Sequence, residues 1–235
     1  MAFAYSIFSL GDAALTVDFG NTIDEDINGQ VLRLFGAVKN LSSHILDVVP
    51  AYSSLTVYYD VLSLRSKHTA AFDAMKAMIE PLLLKEANGL QLQNRQMKIP
   101  VCYEKKFALD VDELATQKRI TVDEVIRLHT AKTYRVYTIG FLPGFAYMGR
   151  VDERIAMPRK AQPRTIVPEG AVGIAGEQTG IYPLPSPGGW NIIGRTPLKL
   201  FDTTKEESVL LQPGDDVSFY SISEDEFENY QSRNA

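Results

Sequence analysis

The sequence predicts an α+β protein in two parts: a ββαββα sheet-and-helix domain over residues 1–90, then a β-rich barrel domain over residues 91–235. Three observations carry this. Apolar residues recur first at strand period and then at helix period, twice over, in the N-terminal part. The stretch from Glu86 to Gln96 is polar and contains Gly89, as a linker would. Ten of the 16 glycines lie between Tyr134 and Pro197, with most of the prolines and the single tryptophan, Trp190. Ile, Val, Tyr and Phe are interleaved there, so the stretch reads as short strands joined by tight turns, not as disorder.

The elements follow in order. Residues 3–8 and 13–19 read as two strands about a turn at Gly11 and Asp12. Asp24 to Lys39 reads as a helix, with Ile27, Val31, Leu34, Phe35 and Val38 on one face and acids at its start. Strands at Ile45–Val49 and Leu55–Tyr59 come next. A second helix is predicted from Ser66 to Ala87, kinked or broken at Pro81. In the second part, Met97–Tyr103 is a strand. Asp110 with Glu113, and Thr121 with Glu124, have the spacing of capping boxes and open two short helices. Tyr134–Ile139 is a strand, and several short strands follow to Pro197. Further strands are expected at Leu198–Phe201, Val209–Leu211 and Val217–Ile222, before a short acidic helix and tail. This half reads as a closed or nearly closed barrel with a helical insert.

Composition narrows the function. Hydrophobic residues make up 45% and charged residues 23%, as in globular proteins. The net charge of −5 argues against broad nucleic-acid or anionic-membrane binding. The single cysteine, Cys102, permits no internal disulfide and is expected to be a small buried hydrophobe. The N-terminus lacks the basic start and long apolar run of a signal peptide, and no run reaches the ~20 apolar residues of a membrane span. The expectation is a cytoplasmic protein.

Several chemistries are missing. There is no P-loop, no dinucleotide-binding glycine pattern and no nucleophile elbow. His44, His68 and His129 have no metal-ligand spacing with one another or with Cys102, so no metal site is expected. His129 shares the inward face of its helix with Val122, Val125 and Ile126. It is a candidate general base, or else a core histidine held by a backbone carbonyl. Between Arg150 and Lys199 seven Arg or Lys face four acids, a locally positive stretch on an acidic protein. Arg159, Arg164 and Arg195 are candidates to grip a carboxylate or phosphate, or to form ion pairs within the protein. Gln178, Thr179, Tyr182, Ser186 and Trp190 set polar tips and aromatic faces among glycines, as in a ligand pocket or a tight turn scaffold.

Gly140-Phe-x-Pro-Gly-Phe-x-Tyr-x-Gly149, Pro158-Arg-x-x-x-Pro-Arg164, Gly173-Ile-Ala-Gly-x-Gln-Thr-Gly-Ile-Tyr-Pro183, Ser186-Pro-Gly-Gly-Trp190 and Ile193-Gly-Arg-Thr-Pro197 closely resemble the KipI family over essentially the whole chain. That family includes a sporulation-kinase inhibitor, the B-type subunit of the ATP-dependent 5-oxoprolinase, and proteins labelled allophanate hydrolase subunit 1. The resemblance implies a cyclophilin-like fold for the barrel. It implies a KipA-like partner and, in 5-oxoprolinase, a third subunit, the assembly spending ATP to open 5-oxo-L-proline to L-glutamate. On that reading His129 or Tyr182 moves protons, and Arg159, Arg164 and Arg195 meet the anionic groups. Gln178, Thr179, Ser186, Gly188, Gly189 and Trp190 then line the substrate site, with Gly140, Pro143 and Gly144 forming a loop beside it. Two alternatives share the motifs: a binding protein that inhibits a sensor histidine kinase, and a carboxyltransferase-like subunit of urea or allophanate metabolism with a biotin-carrying partner.

Overall fold

The computed structural model describes residues 4–66, 68–84 and 94–233. The chain divides into two compact units, Met1–Gln93 and Asn94–Ala235. Most of the expected linker, and the boundary placed at residue 90, lie outside the described residues.

The first unit contains β1 (Ser6–Ser9), β2 (Ala14–Asp18), α1 (Glu25–Val38), β3 (Ile45–Pro50), β4 (Ser54–Tyr59), α2 (Val61–Leu64) and α3 (Ala71–Leu84). Its four strands form an antiparallel sheet in the order β1-β2-β4-β3. Leu15, Val17, Leu55 and Val57 from the sheet pack with Val31, Leu34 and Val38 of α1 and Met75 and Ile79 of α3. Asp24 caps α1, accepting from the backbone N–H of Asp26 and Ile27. The order departs from the expected ββαββα by α2, a single turn capped by Asp60 through Leu62 N and Ser63 N. α3 begins at Ala71 because Ser66 makes a turn instead: its N–H donates to Thr69 O and its hydroxyl accepts from Thr69 N. The helix continues through Pro81. Leu82 and Leu83 beyond it pack on the core, and that burial offsets the missing N–H.

The second unit contains β5 (Gln96–Cys102), α4 (Val111–Lys118), α5 (Val122–Thr130), β6 (Thr133–Ile139), β7 (Ala146–Gly149), β8 (Arg164–Val167), β9 (Ala171–Ala175), β10 (Gln178–Ile181), β11 (Ser186–Gly188), β12 (Asn191–Arg195), β13 (Asp216–Ile222) and α6 (Glu224–Arg233). Seven strands close a barrel in the order β10-β7-β6-β13-β5-β12-β9, with β9 paired back to β10. β5 and β13 run parallel, and the other pairs are antiparallel. β8 and β11 form a separate two-stranded ribbon. Ile99, Val101, Val136, Met148, Ile174, Ile193 and Val217 make the core, joined by Leu114 of α4 and by Val125 and Leu128 of α5. The strands expected at Leu198–Phe201 and Val209–Leu211 are absent as such. A single bridge joins Phe201 to Val209, because too few residues pair there to extend a ladder. Among the described residues no helix is long and apolar enough to cross a membrane.

Candidate functional site

One row of residues runs across four barrel strands. Tyr147 lies opposite Gly180, Gly180 opposite Gly173, and Gly173 opposite Ile192. Two bare positions side by side leave a shallow bed in the barrel wall, and Trp190 and Phe145 fill it. A side chain at Gly180 would meet Ala146 O at 2.9 Å, the Trp190 ring at 3.1 Å and the Phe145 ring at 3.3 Å. Phe145 packs edge-on against Tyr182 (5.1 Å) and Trp190 (5.4 Å), and lies 4.7 Å from the half-buried Tyr147. Such edge-to-face contacts favour one fixed arrangement. Tyr182 is buried, its ring wedged against Gly188, where an added Cβ would come within 2.4 Å of the Tyr182 hydroxyl. Burial raises the Tyr182 pKa, and only partly do the Trp190 N–H and the charges of Arg159 and Arg164 offset it. Tyr182 is therefore a packed wall of this nest and not a freely titrating proton carrier.

Beside the nest the segment from Pro158 to Arg164 is pinned at Pro158, Lys160 and Arg164. Asn191 Nδ2 donates to Pro158 O at 2.8 Å. Lys160 N donates to Gly189 O at 2.7 Å. Lys160 Nζ reaches Asp110 Oδ1 and Glu113 Oε2, both at 2.8 Å. Arg164 forks onto Asp110, with Nη1 to Oδ2 at 2.8 Å and Nη2 to Oδ1 at 2.6 Å. Asp110 is 2% exposed and also accepts from Ile192 N at 2.7 Å. Burial alone would raise its pKa, but Arg164, Lys160 and the Ile192 N–H together outweigh that and hold it below the usual carboxylate range. The capping-box reading of Asp110 is thus corrected: it sits at the N-cap position of α4 with no side-chain cap bond, because its oxygens serve the cations. Arg164 is likewise an internal ion-pair partner and not an open anion receptor. Thr121 does cap α5, through Glu124 N.

Arg159 stands differently. It is exposed and makes no hydrogen bond or ion pair among the described residues. Its charge acts on both Tyr147 and Tyr182, lowering hydroxyl pKa values that burial raises more strongly. A guanidinium with free N–H donors, carried on a segment held at Pro158 and Lys160 and close enough to act on Tyr147 and Tyr182, suits a carboxylate or phosphate taken through two parallel hydrogen bonds.

His129 is fully buried in the core of the same unit, stacked on Phe219 at 4.5 Å. Thr179 spends its proton on Gly173 O (3.1 Å), so His129 Nε2 must donate to Thr179 Oγ1 (3.0 Å). Nδ1 then accepts from the Tyr103 hydroxyl (2.8 Å). Both ring nitrogens are occupied, by hydroxyls and not by the backbone carbonyl expected. Burial takes the His129 pKa down to about 3. The imidazole is a neutral core fixture with no lone pair free for a substrate, which corrects its reading as a general base. Thr179, read as a site residue, belongs to this buried chain as well.

The remaining candidates scatter. Arg195 stands at the opposite end of β12 from Asn191 and donates to Glu169 O, whereas Arg164 is committed to Asp110, so these two arginines serve different partners. Ser186 is buried, and its Oγ lacks a hydrogen-bond partner among the described residues. Gln178 is half-buried at the start of β10, opposite Gly149 and Ala175. Gly140 and Phe145 close a turn through Gly140 N to Phe145 O, and Gly144 takes φ +83°. Pro143 lies in this turn, whose tip carries Phe141, 63% exposed at φ +68°. Sequence reasoning missed Asp110 and Tyr103. Asp110 is a carboxylate beside the apolar Leu109 and Val111, the one signal that could have marked it as a buried counter-charge.

Among the described residues no group of three or more His, Cys, Asp or Glu could hold a metal ion. A cavity of 530 Å³ is lined by Glu104, Asp112 and Asp123 against Lys105, whose ammonium lies 3.5 Å from Asp112. A second recess, at Arg195, has only 100 Å³.

The sequence matches the family model described as carboxyltransferase domain, subdomain C and D, over residues 5–211. The chain belongs to that family. It is 40% identical over 237 residues to the B-type subunit of 5-oxoprolinase from Bacillus subtilis (strain 168), covering 98% of both chains. The resemblance read from the glycine- and proline-rich motifs therefore holds along the whole chain. The crystal structure of TTHA0988 superposes on this family member with a TM-score of 0.78 at 34% identity, over 89% of this chain and 40% of that one. Kluyveromyces lactis urea carboxylase shares the fold, with a TM-score of 0.77 at 21% identity, over 98% of this chain and 23% of that one.

Proposed function

We propose that this chain is one subunit of an ATP-dependent 5-oxoprolinase that opens 5-oxo-L-proline to L-glutamate, working with a KipA-like subunit and a third subunit. The observation that carries this reading is 40% identity to a B-type 5-oxoprolinase subunit over 98% of both chains. The geometry agrees with a shared site. Among the described residues the chain offers an anion grip at Arg159 and a rigid aromatic bed, but no nucleophile paired with a base. Opening a lactam breaks a resonance-stabilised C–N bond, and negative charge develops on the carbonyl oxygen as it does so. In this account Arg159 binds that oxyanion, or the phosphate that activates it, and Trp190, Tyr147 and Tyr182 exclude water from one side. The partner subunits bind ATP and supply the groups that move protons.

The test is release of glutamate from 5-oxo-L-proline with ATP, measured for the chain alone and with both partners. Turnover only in the full mixture, lost when this chain is omitted, supports the proposal. Absence of turnover with folded partners overturns it, and autophosphorylation of a sensor kinase is then assayed with and without the chain.

A further inference from the structure

We propose that the recess at Arg195 is a second anion site, built for a small carboxylic acid with an apolar body. It lies between the segment carrying Lys106, Phe107 and Leu109 and the segment carrying Pro168 and Ala171, with Ile192 and Arg195 of β12 at its base. Its volume of 100 Å³ matches about three waters or one small organic acid. Four of its seven lining residues, Leu109, Pro168, Ala171 and Ile192, are aliphatic.

Arg195 supplies the charge. Its Nε donates to Glu169 O at 2.7 Å, and its guanidinium lies 5.7 Å from the Phe227 ring centroid. Among the described residues no carboxylate forms an ion pair with it, and its terminal nitrogens have no hydrogen-bond partner. Nearby acids are committed elsewhere. Asp110 serves Arg164 and Lys160, while Glu224 and Glu228 serve Lys106. Glu169 acts on Arg195 through its charge but contacts it only through its backbone carbonyl. A half-buried guanidinium normally secures an ion pair, because desolvation disfavours the bare charge. Here the open donors border an apolar recess, an arrangement that a carboxylate would complete.

The experiment is a titration of the purified full chain with cyclopentanecarboxylate, 5-oxo-L-proline and cyclopentanol, followed by methyl NMR of Leu109, Ala171 and Ile192. Either carboxylate is expected to shift these signals saturably, and cyclopentanol is not. Arg195→Met should weaken binding about tenfold or more, Arg195→Lys less, and Lys76→Ala, a surface change in the first unit, not at all. Leu109→Trp, at a lining position 46% exposed and so tolerant of a larger side chain, fills the recess without altering charge; it should abolish binding and keeps the test decisive if Arg195→Met does not fold. Absence of a saturable shift up to millimolar ligand, equal binding by cyclopentanol, or unchanged binding in Leu109→Trp would overturn the proposal. None of these outcomes depends on whether the assembled complex opens 5-oxoproline.

Discussion

Asp110 is the residue whose removal should cost the second unit most among its polar groups. It is 2% exposed and accepts four hydrogen bonds, two from Arg164, one from Lys160 and one from Ile192 N. Breaking a buried ion pair by removing one partner costs about 3–5 kcal/mol. The Arg164 and Lys160 side chains retain 26% and 21% exposure, so water can partly replace the lost carboxylate. Asp110→Ala should therefore lose roughly 3 kcal/mol, the lower end of that range. Trp190, the only tryptophan, belongs to this unit, so its fluorescence during urea unfolding reports this unit. The sign of the pH dependence follows from the lowered folded-state pKa of Asp110. Its contribution is fully present above the unfolded carboxylate range and is lost as pH falls through the folded value. Wild type and Asp110→Ala should thus differ at pH 6 and converge under strongly acid conditions. A difference under about 0.5 kcal/mol at pH 6, the size of an ordinary surface change, would refute the assignment of Asp110 as the clamp of the 158–164 segment.

The other predictions follow the same geometry. His129 titrates at about 3 when folded and near its ordinary 6.5 when unfolded, so the unfolded state binds the extra proton between these values. Stability should fall by up to about 1.4 kcal/mol per pH unit as pH drops through this window, and be flat above it; His129→Gln, compared by urea unfolding, should lack this slope. Gly188→Ala places a Cβ 2.4 Å from the Tyr182 hydroxyl. It should cost about 1–3 kcal/mol and shift Trp190 emission, whereas an unchanged spectrum would mean the nest is loosely packed. Arg159→Ala should leave stability within about 0.5 kcal/mol, read by thermal unfolding, while lowering turnover of the assembled complex.

Much of the fold was legible because it follows from periodicity. The apolar face of α1 and the strands from Ala14 to Tyr59 repeat at their own spacings, and tertiary packing does not override them. The misses have local physical causes. Ser66 competes for the backbone through its hydroxyl and delays α3, and burial of Leu82 and Leu83 carries that helix past a proline. Leu198–Phe201 has strand composition but gains one bridge, because ladder formation depends on a partner that sequence does not reveal. The site was less legible for a related reason. Arg159, Arg164 and Arg195 look alike in sequence, and only the long-range placement of Asp110 shows which are spent. His129 looked like a base because its helix face points inward; the hydroxyls of Tyr103 and Thr179, 26 and 50 residues away, decide its role.

The central claim is that this chain contributes Arg159 to a catalytic site completed by partners. Its most direct test is glutamate release from 5-oxo-L-proline and ATP by the assembled complex, comparing wild type with Arg159→Ala and Arg159→Lys at equal, verified assembly. The account predicts turnover with wild type, a loss of about tenfold or more with Arg159→Ala, and partial recovery with Arg159→Lys. Equal turnover by wild type and Arg159→Ala in a fully assembled complex would contradict it.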